Sequence, residues 1–397
     1  MNIVNKKIED IIPYIRNPRK NQAIDKVAGS LKEFGFRQPI VVDKQMVIIA
    51  GHTRFEAAKK LGIKEVPIHI ADNLTPAQVK AYRIADNRVA QDSEWDIGML
   101  NTEFTDLLDM HFDLDILGFN AKELEDLIVD KENIGLTDED EIPETPKEPK
   151  AQLGDIYKLD EHKLMCGDSS KIDDVSKLMP ETANMLFTDP PYLMDFDGGI
   201  HADGSKSYNA KHGAIKNDKM SLEQGNDFLD AVNSIIKTKV DGAFYISFYR
   251  LGIDRFFNSL NRTGLKCRSL IVWDKGNHTL SNSDYMSMYE PIFYGWVNNH
   301  KFYGGNNGMD IWKIKRTSKN VLHPTMKPVE LVEKAILDGS AINGIVLDLF
   351  AGSGTTIIAC EKHKRKARLM ELDPKYVDVI IERWENYTGK KAELVKD

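Results

Sequence analysis

The sequence predicts two α/β units: a larger one built on an open, mostly parallel, doubly wound sheet, and a smaller α/β module in front of it. Three observations predict this. The 397 residues exceed one ordinary domain, and a 42% hydrophobic content can bury more than one core. The stretch 137–150, TDEDEIPETPKEPK, sets Pro143, Pro146 and Pro149 among acids without apolar periodicity, which reads as an extended linker. Beyond it, nearly continuous apolar runs alternate with helical patterns, as strands buried on both faces do. The expected division is a module over 1–120, a helical-to-acidic connection over 121–150 and the large unit over 151–397.

In the module, Ile24, Val27, Leu31 and Phe34 recur at helical steps and Gly35 ends the run. PIVVD (39–43) and MVIIA (46–50) flank Lys44-Gln45 and read as a hairpin. In GHTRFEAAKKLG (51–62), Thr53 and Glu56 have capping-box spacing and Gly62 closes the helix. VPIHI (66–70) is a strand, and Thr75-Pro76 opens a helix that reaches about Arg88. In the large unit, DIYKL (155–159) and HKLMC (162–166) read as a hairpin. ANMLFT (183–188), GAFYISF (242–248), RSLIVW (268–273), PIFYGW (291–296), IVLDLF (345–350) and RLMEL near 368–372 are the further strands. Helices are expected at 221–238, 251–262, 328–338, 355–363 and 374–387.

Composition bounds the function. The formal net charge is -8, which excludes a protein that grips polyanions with its whole surface but not one with a local basic stripe. No apolar run approaches a membrane span, and the start mixes charges into every turn, so no membrane or secretory role is expected. Cys166, Cys267 and Cys360 are far apart without CxxC spacing, which argues against disulfides and zinc; no metal site is expected. A cytoplasmic protein is the expectation.

Two motifs sit at predicted strand ends, where doubly wound sheets bind ligands. Asp189-Pro190-Pro191-Tyr192 combines an acid, a rigid turn with unpaired carbonyls and a flat ring. Acid plus carbonyl clamp an amino group, and the ring stacks on a base. Asp348-Leu349-Phe350-Ala351-Gly352-Ser353-Gly354-Thr355 is a glycine turn matching neither the phosphate-loop nor the dinucleotide pattern, so by itself it reads equally as a packing turn. Glu371, roughly 20 residues on, is placed to accept from ribose hydroxyls. Residues 195–220 are polar and Gly-rich, as a mobile loop over a site would be. Between 297 and 327, Lys301, Lys313, Lys315, Arg316, Lys319 and Lys327 face a single acid, Asp310, with Phe302, Tyr303 and Trp312 interleaved. That stripe suits phosphate tracking with base contact.

The tetrad, the glycine motif and Glu371 together resemble the amino-group DNA methyltransferases that use S-adenosylmethionine, in the circularly permuted β-class order with the tetrad upstream. Asp168 in LMCGDSS and HPTMKPVEL (323–331), with His323, Pro324, Lys327 and Pro328, extend the resemblance over most of 152–388. It implies a Rossmann-like methyltransferase sheet with a target-recognition region at about 275–322. Asp189, Pro190, Pro191 and Tyr192 would be catalytic. Asp168, His323, Lys327, Asp348, Phe350, Gly352, Ser353, Gly354, Thr355 and Glu371 would hold the cofactor, and Lys301, Lys313, Lys315, Arg316 and Lys319 the DNA. Asp before Pro-Pro-Tyr leans toward adenine N6 in double-stranded DNA. Cytosine N4, an RNA target and a DNA-binding regulator with an inert methyltransferase domain stay open.

Residues of roughly 8–115 resemble the ParB/sulfiredoxin-like domain through GFRQPIVVD, AGHTRFEAAKKLG and ADNRVAQDSEWD. Gly51, His52, Thr53 and Arg54 stand where that family usually has Gly-Glu-Arg-Arg, which argues against nucleotide hydrolysis and leaves phosphate or DNA contact through Arg54 open. Partition proteins continue into a helix-turn-helix domain; this chain is expected to run into the acidic linker instead. Fusions of this kind imply a bacterial or mobile-element source. A homodimer and a restriction endonuclease partner are left open.

Overall fold

The structure is a computed structural model that describes residues 3–15, 23–89, 95–110, 112, 114–119, 121–128, 135–192, 220–279, 284–299, 301–305, 308–316 and 326–395. The expected loop at 195–220 (all but its last residue), Lys319, His323 and Pro324 lie outside these. The chain divides into two compact units, Met1–Ile128 and Val129–Asp397.

The smaller unit orders its strands β1-β4-β2-β3, from β1 (Ile3–Lys7), β2 (Ile40–Val42), β3 (Ile48–Ala50) and β4 (Glu65–Ile70). Strands β2 and β3 form the expected antiparallel hairpin, and β2 pairs parallel to β4. Its helices are α1 (Ile24–Phe34), α2 (His52–Lys60), α3 (Pro76–Val89), α4 (Ile97–Asp109) and α5 (Ala121–Ile128). Ile40, Val42, Ile48, Phe55, Val66 and Ile68 form its core. The capping box expected at Thr53 and Glu56 is absent: α2 starts at His52 with Gly51 as its N-cap, at φ +99° and without a side-chain cap. Passing from β3 into α2 over one residue demands a left-handed backbone, which glycine adopts without strain.

The larger unit holds ten strands in the order β11-β9-β10-β8-β7-β12-β13-β6-β5-β14. They are β5 (Ile156–Leu159), β6 (His162–Cys166), β7 (Ala183–Thr188), β8 (Val240–Ser247), β9 (Cys267–Thr279), β10 (Ser287–Trp296), β11 (Ile311–Lys313), β12 (Ile345–Asp348), β13 (Lys366–Glu371) and β14 (Glu393–Val395). The sheet is mixed rather than mostly parallel. The five central strands β8-β7-β12-β13-β6 run parallel, while β9, β10, β5 and β14 enter through antiparallel pairings.

Alternation along the strands fills two layers. Met185, Phe187, Tyr245 and Val346 face α9 (Val329–Gly339), α10 (Thr355–Lys362) and α11 (Pro374–Thr388). Leu186, Phe244, Ile246 and Leu347 face α6 (Ile172–Leu178), α7 (Leu222–Lys239) and α8 (Ile253–Thr263). The chain leaves β7 through α7 toward β8, and leaves β12 through α10 toward β13, on the other side. The crevice between β7 and β12 is therefore the topological switch point, where such sheets bind ligands.

The stretch expected as an extended linker is hydrogen-bonded to the larger unit. Between Gly135 and Ala151 the backbone is neither helix nor strand, yet it is tied along the larger unit. Leu136 N–H donates to the Tyr387 carbonyl (2.8 Å), and Lys150 and Ala151 N–H donate to the Asp378 carboxylate (2.6 and 3.1 Å). Ile142 is buried.

Candidate active site at the carboxyl edge of the parallel strands

Four acids predicted from sequence stand at the carboxyl ends of four adjacent strands: Asp189 after β7, Asp348 ending β12, Glu371 ending β13 and Asp168 after β6. They differ in what they are free to do. Asp348 is buried, and both oxygens are taken: Oδ1 accepts from Thr188 Oγ1 (3.1 Å) and Phe350 N–H (3.0 Å), Oδ2 from Thr356 Oγ1 (2.6 Å). Burial pushes its carboxyl up to about 6 against these donors. Asp348, expected at the cofactor, ties β7, the glycine turn and α10 together.

The turn follows from that tie. Gly352 (φ +53°) and Gly354 (φ +84°) are both left-handed, and Gly354 is the N-cap of α10. A Cβ at Gly354 would press on Ile380, at 3.1 Å, whereas one at Gly352 would meet nothing within 4 Å, so backbone is open to a ligand there. Glu371 accepts from Gly352 N–H (2.9 Å) and Asp373 N–H (2.8 Å), and burial raises its carboxyl to about 7. Gly167 N–H donates to the Glu371 carbonyl (3.0 Å), which brings Asp168 beside it. Asp168 Oδ1 accepts from Ser170 N–H and Oγ, and the Ser169 hydroxyl donates to the Leu349 carbonyl. Phe350 packs on Phe228, with ring centroids 5.9 Å apart.

The tetrad forms the other wall. Lys327, 7% exposed, donates its ammonium to Asp189 Oδ2 and lies 3.3 Å from the Tyr192 hydroxyl. Its Nζ holds Asp189, and its carbonyl meets the glycine motif, accepting from Thr355 Oγ1 (3.3 Å). Asp189 Oδ1 is buried and accepts no hydrogen bond among the described residues.

Three residues that the sequence reading passed over complete this wall. Glu290 on β10 accepts from Lys275 on β9, lies 3.6 Å from Lys327 Nζ and accepts a long bond from Tyr192 Oη (3.4 Å). Tyr249 stacks on Tyr192 at 6.1 Å and 24°. Burial works to raise Glu290, but Lys327 and Lys275 hold it below the usual carboxylate range. Burial also opposes the Lys327 charge, and Asp189, Tyr192 and Glu290 outweigh it to hold the ammonium above the usual lysine range. A lone acid heading the apolar run PIFYGW was the available signal for Glu290.

The basic stripe is divided. On β11, Lys313 and then Lys315 point to solvent while Trp312 and Ile314 are buried in the core, so the interleaved Trp312 is packing and not a base platform. Lys301 lies over the Tyr303 ring at 4.8 Å, and Arg316 N–H reaches the Lys275 carbonyl at 3.5 Å. In the smaller unit, Arg54 turns back to Gln38 Oε1 (2.8 Å) and the Pro39 carbonyl (3.3 Å), and His52 Nε2 accepts from Tyr14 N–H (3.2 Å). No group of three potential metal ligands occurs among the described residues, and no described helix is long and apolar enough to cross a membrane.

S-adenosylmethionine fits this edge. Open backbone at Gly352 admits a ligand, two acids on adjacent strands suit its ribose hydroxyls and adenine amine, and the Asp189 Oδ1 without a donor among the described residues would suit an amino group.

Comparison with known proteins agrees. The DNA methylase family matches residues 183–382, the ParB N-terminal domain 2–87 and the ParB-methyltransferase HTH domain 98–153. The last corrects the expectation that the chain passes directly into a linker: α4 from Gly98 onward, α5 and the acidic stretch fall inside it. The chain is 27% identical over 248 residues to Type II methyltransferase M2.LlaDCHI of Lactococcus lactis subsp. cremoris, covering 57% of this chain and 90% of that one. It is 28% identical over 245 residues to Type II methyltransferase M2.DpnII of Streptococcus pneumoniae, covering 56% and 90%. A probable chromosome-partitioning protein ParB of Campylobacter jejuni is 46% identical over 72 residues, 17% of this chain and 26% of that one. With half of its length matched and the matching motifs gathered at one sheet edge, the chain belongs to the DNA methylase family of N6 and N4 amino-methyltransferases.

Proposed function

We propose that the protein methylates the exocyclic N6 amine of adenine in double-stranded DNA, with an N-terminal ParB-like module and helix-turn-helix region that engage the same DNA. The observation that carries this is the divided Asp189 carboxylate: Oδ2 is fixed by Lys327, and Oδ1 is buried with no donor from the described residues. A buried acceptor without a donor is costly, and an amino hydrogen supplies the donor.

A duplex hides its amines, so the target base is flipped out at a cost of a few kcal/mol. Tyr192, braced by Tyr249, stacks on it; Asp189 Oδ1 and the Pro190 carbonyl hold the two amino hydrogens and free the nitrogen lone pair. When bound, S-adenosylmethionine supplies an activated methyl group on its sulfonium sulfur. Glu371 and Asp168 hold its ribose and adenine, and the Gly352–Thr355 turn holds its tail. The acid in front of Pro-Pro-Tyr favours adenine over cytosine N4, as the family resemblance implies.

We assign the target-recognition role expected near 275–322 to a two-stranded ribbon. Residues 274–279 of β9 and 287–290 of β10 run past the carboxyl end of β8, out from the edge that carries Asp189. Met288 and Tyr289 are exposed on it, and Tyr285 is exposed just before β10. A two-stranded ribbon fits the major groove.

The test is methyl transfer from labelled S-adenosylmethionine, with the product nucleoside identified. N6-methyladenine is expected from the wild type. Asp189→Ala is expected to abolish transfer while S-adenosylmethionine affinity stays within about threefold, since the acid contacts the amine and not the cofactor. Full turnover in that variant, or N4-methylcytosine as product, would overturn the corresponding part of the reading.

A further inference from the structure

The segment 135–142 lies in sequence outside the methyltransferase strands and yet is bonded to Val329 and Arg383, two residues that adjoin the glycine turn. Helix α9 begins at Val329 behind Pro328, a residue with no side-chain acceptor for the free N–H groups of a first turn. Asp140 supplies that acceptor from elsewhere in the chain: its Oδ1 takes the Val329 N–H at 3.0 Å. Val329 is fully buried. Two residues before it stands Lys327, whose ammonium fixes Asp189 and whose carbonyl accepts from Thr355.

A second attachment is independent of the first. Arg383, 2% exposed on α11, donates Nη2 to the Glu139 carbonyl (2.6 Å) and Nη1 to the Ser353 carbonyl (2.9 Å). One buried guanidinium thus joins the strap to the glycine turn. The Glu139 side chain pairs with Lys362 on α10, and Leu136 is bonded to the Tyr387 carbonyl. A segment that were only a tether would not place a carboxylate at the first N–H of one site helix and a carbonyl on the arginine that holds the cofactor turn.

We infer that Asp140 and Arg383 are positioning residues for the cofactor turn: through Val329 the 135–142 strap sets the Lys327 carbonyl that accepts from Thr355, and through Arg383 it fixes the Ser353 carbonyl, so that the turn keeps the shape its ligand needs. The inference rests on the reading of Gly352–Thr355 as the S-adenosylmethionine site.

The experiment uses the full chain with Asp140→Ala, Asp140→Asn and, as a control on the strap's exposed face, Glu141→Ala. S-adenosylmethionine binding is measured by calorimetry, and KM for cofactor and for DNA are measured separately. Asp140→Ala is expected to weaken cofactor binding and raise its KM by roughly fivefold, the equivalent of removing one helix cap, with KM for DNA unchanged. Asp140→Asn keeps an acceptor at Val329 and is expected to stay within about twofold of wild type, as is Glu141→Ala. Rescue by Asn separates a missing hydrogen bond from general damage to the fold. Wild-type cofactor affinity in Asp140→Ala, or an equal rise in KM for DNA, would overturn the inference. Failure of the wild type itself to bind S-adenosylmethionine would instead overturn the reading of the turn.

Discussion

At the residue scale, Asp348 and Glu371, two acids at the carboxyl edge whose carboxyls are both raised, show why position alone does not assign a role. Asp348 has three donors on two oxygens, two of them side-chain hydroxyls of β7 and α10. Glu371 has two backbone donors, and burial leaves it near 7. Its sign is that of a raised carboxyl. The neutral form suits the ligand-free fold, so this contribution to stability is complete below the unfolded glutamate value and is lost as pH rises through about 7. A ribose diol donates, and so prefers the ionised form; binding then releases a proton. S-adenosylmethionine affinity is therefore expected to rise by about tenfold between pH 6 and pH 8, with the slope removed in Glu371→Gln. Calorimetry in two buffers of different ionisation enthalpy checks the proton count, and a flat profile in the wild type would separate Glu371 from the ribose. The sequence pointed to each of these acids because each ends an apolar run. It could not show the Lys327–Asp189 contact or the Lys275–Glu290 pair, since both are made by strands and loops that meet only in the folded sheet.

At the element scale, β11 shows the limit of reading a charge run. Lys313, Lys315 and Arg316 were legible as a basic stripe, but a three-residue edge strand carries too little pattern to reveal which face is buried. Parallel pairing with β9 turns Trp312 inward, where it lies 5.9 Å from the Tyr245 ring and donates Nε1–H to the Met309 carbonyl (3.0 Å). Trp312→Ala is accordingly expected to cost about 3–5 kcal/mol of stability, by cavity formation. Lys313→Ala, one residue away and exposed, is expected to change stability by less than about 0.5 kcal/mol. Denaturant unfolding of the two variants distinguishes them, and similar small losses in both would return Trp312 to the surface. The 135–151 segment has the same lesson in reverse. Its prolines correctly exclude helix and strand, yet its partners Lys362 and Arg383 stand 223 and 244 positions away, beyond any local pattern.

At the scale of the whole molecule, the net charge of -8 describes neither partner nor site. Acids cluster at 138–148, where Glu139 and Asp140 are consumed by Lys362 and by the first N–H of α9. Bases gather on and just after β11, beside the β9–β10 ribbon, with Lys313 and Lys315 exposed. A DNA duplex responds to that local field and not to the sum, because binding releases counterions only where cations meet phosphates. Affinity for DNA is therefore expected to fall steeply with salt despite the acidic total. Replacing Lys313, Lys315 and Arg316 together by Ala is expected to weaken binding and to flatten the slope of log K against log salt by about 2–3, near 0.9 for each phosphate that is no longer neutralised. The slope that remains belongs to other cations, with the N-terminal module and its helix-turn-helix region as the expected source. Titration of a labelled duplex at several salt concentrations reads both quantities at once. A triple variant that binds more weakly with an unchanged slope would mean that these residues shape the ribbon and do not meet phosphate. Binding insensitive to salt in the wild type would remove the electrostatic account altogether.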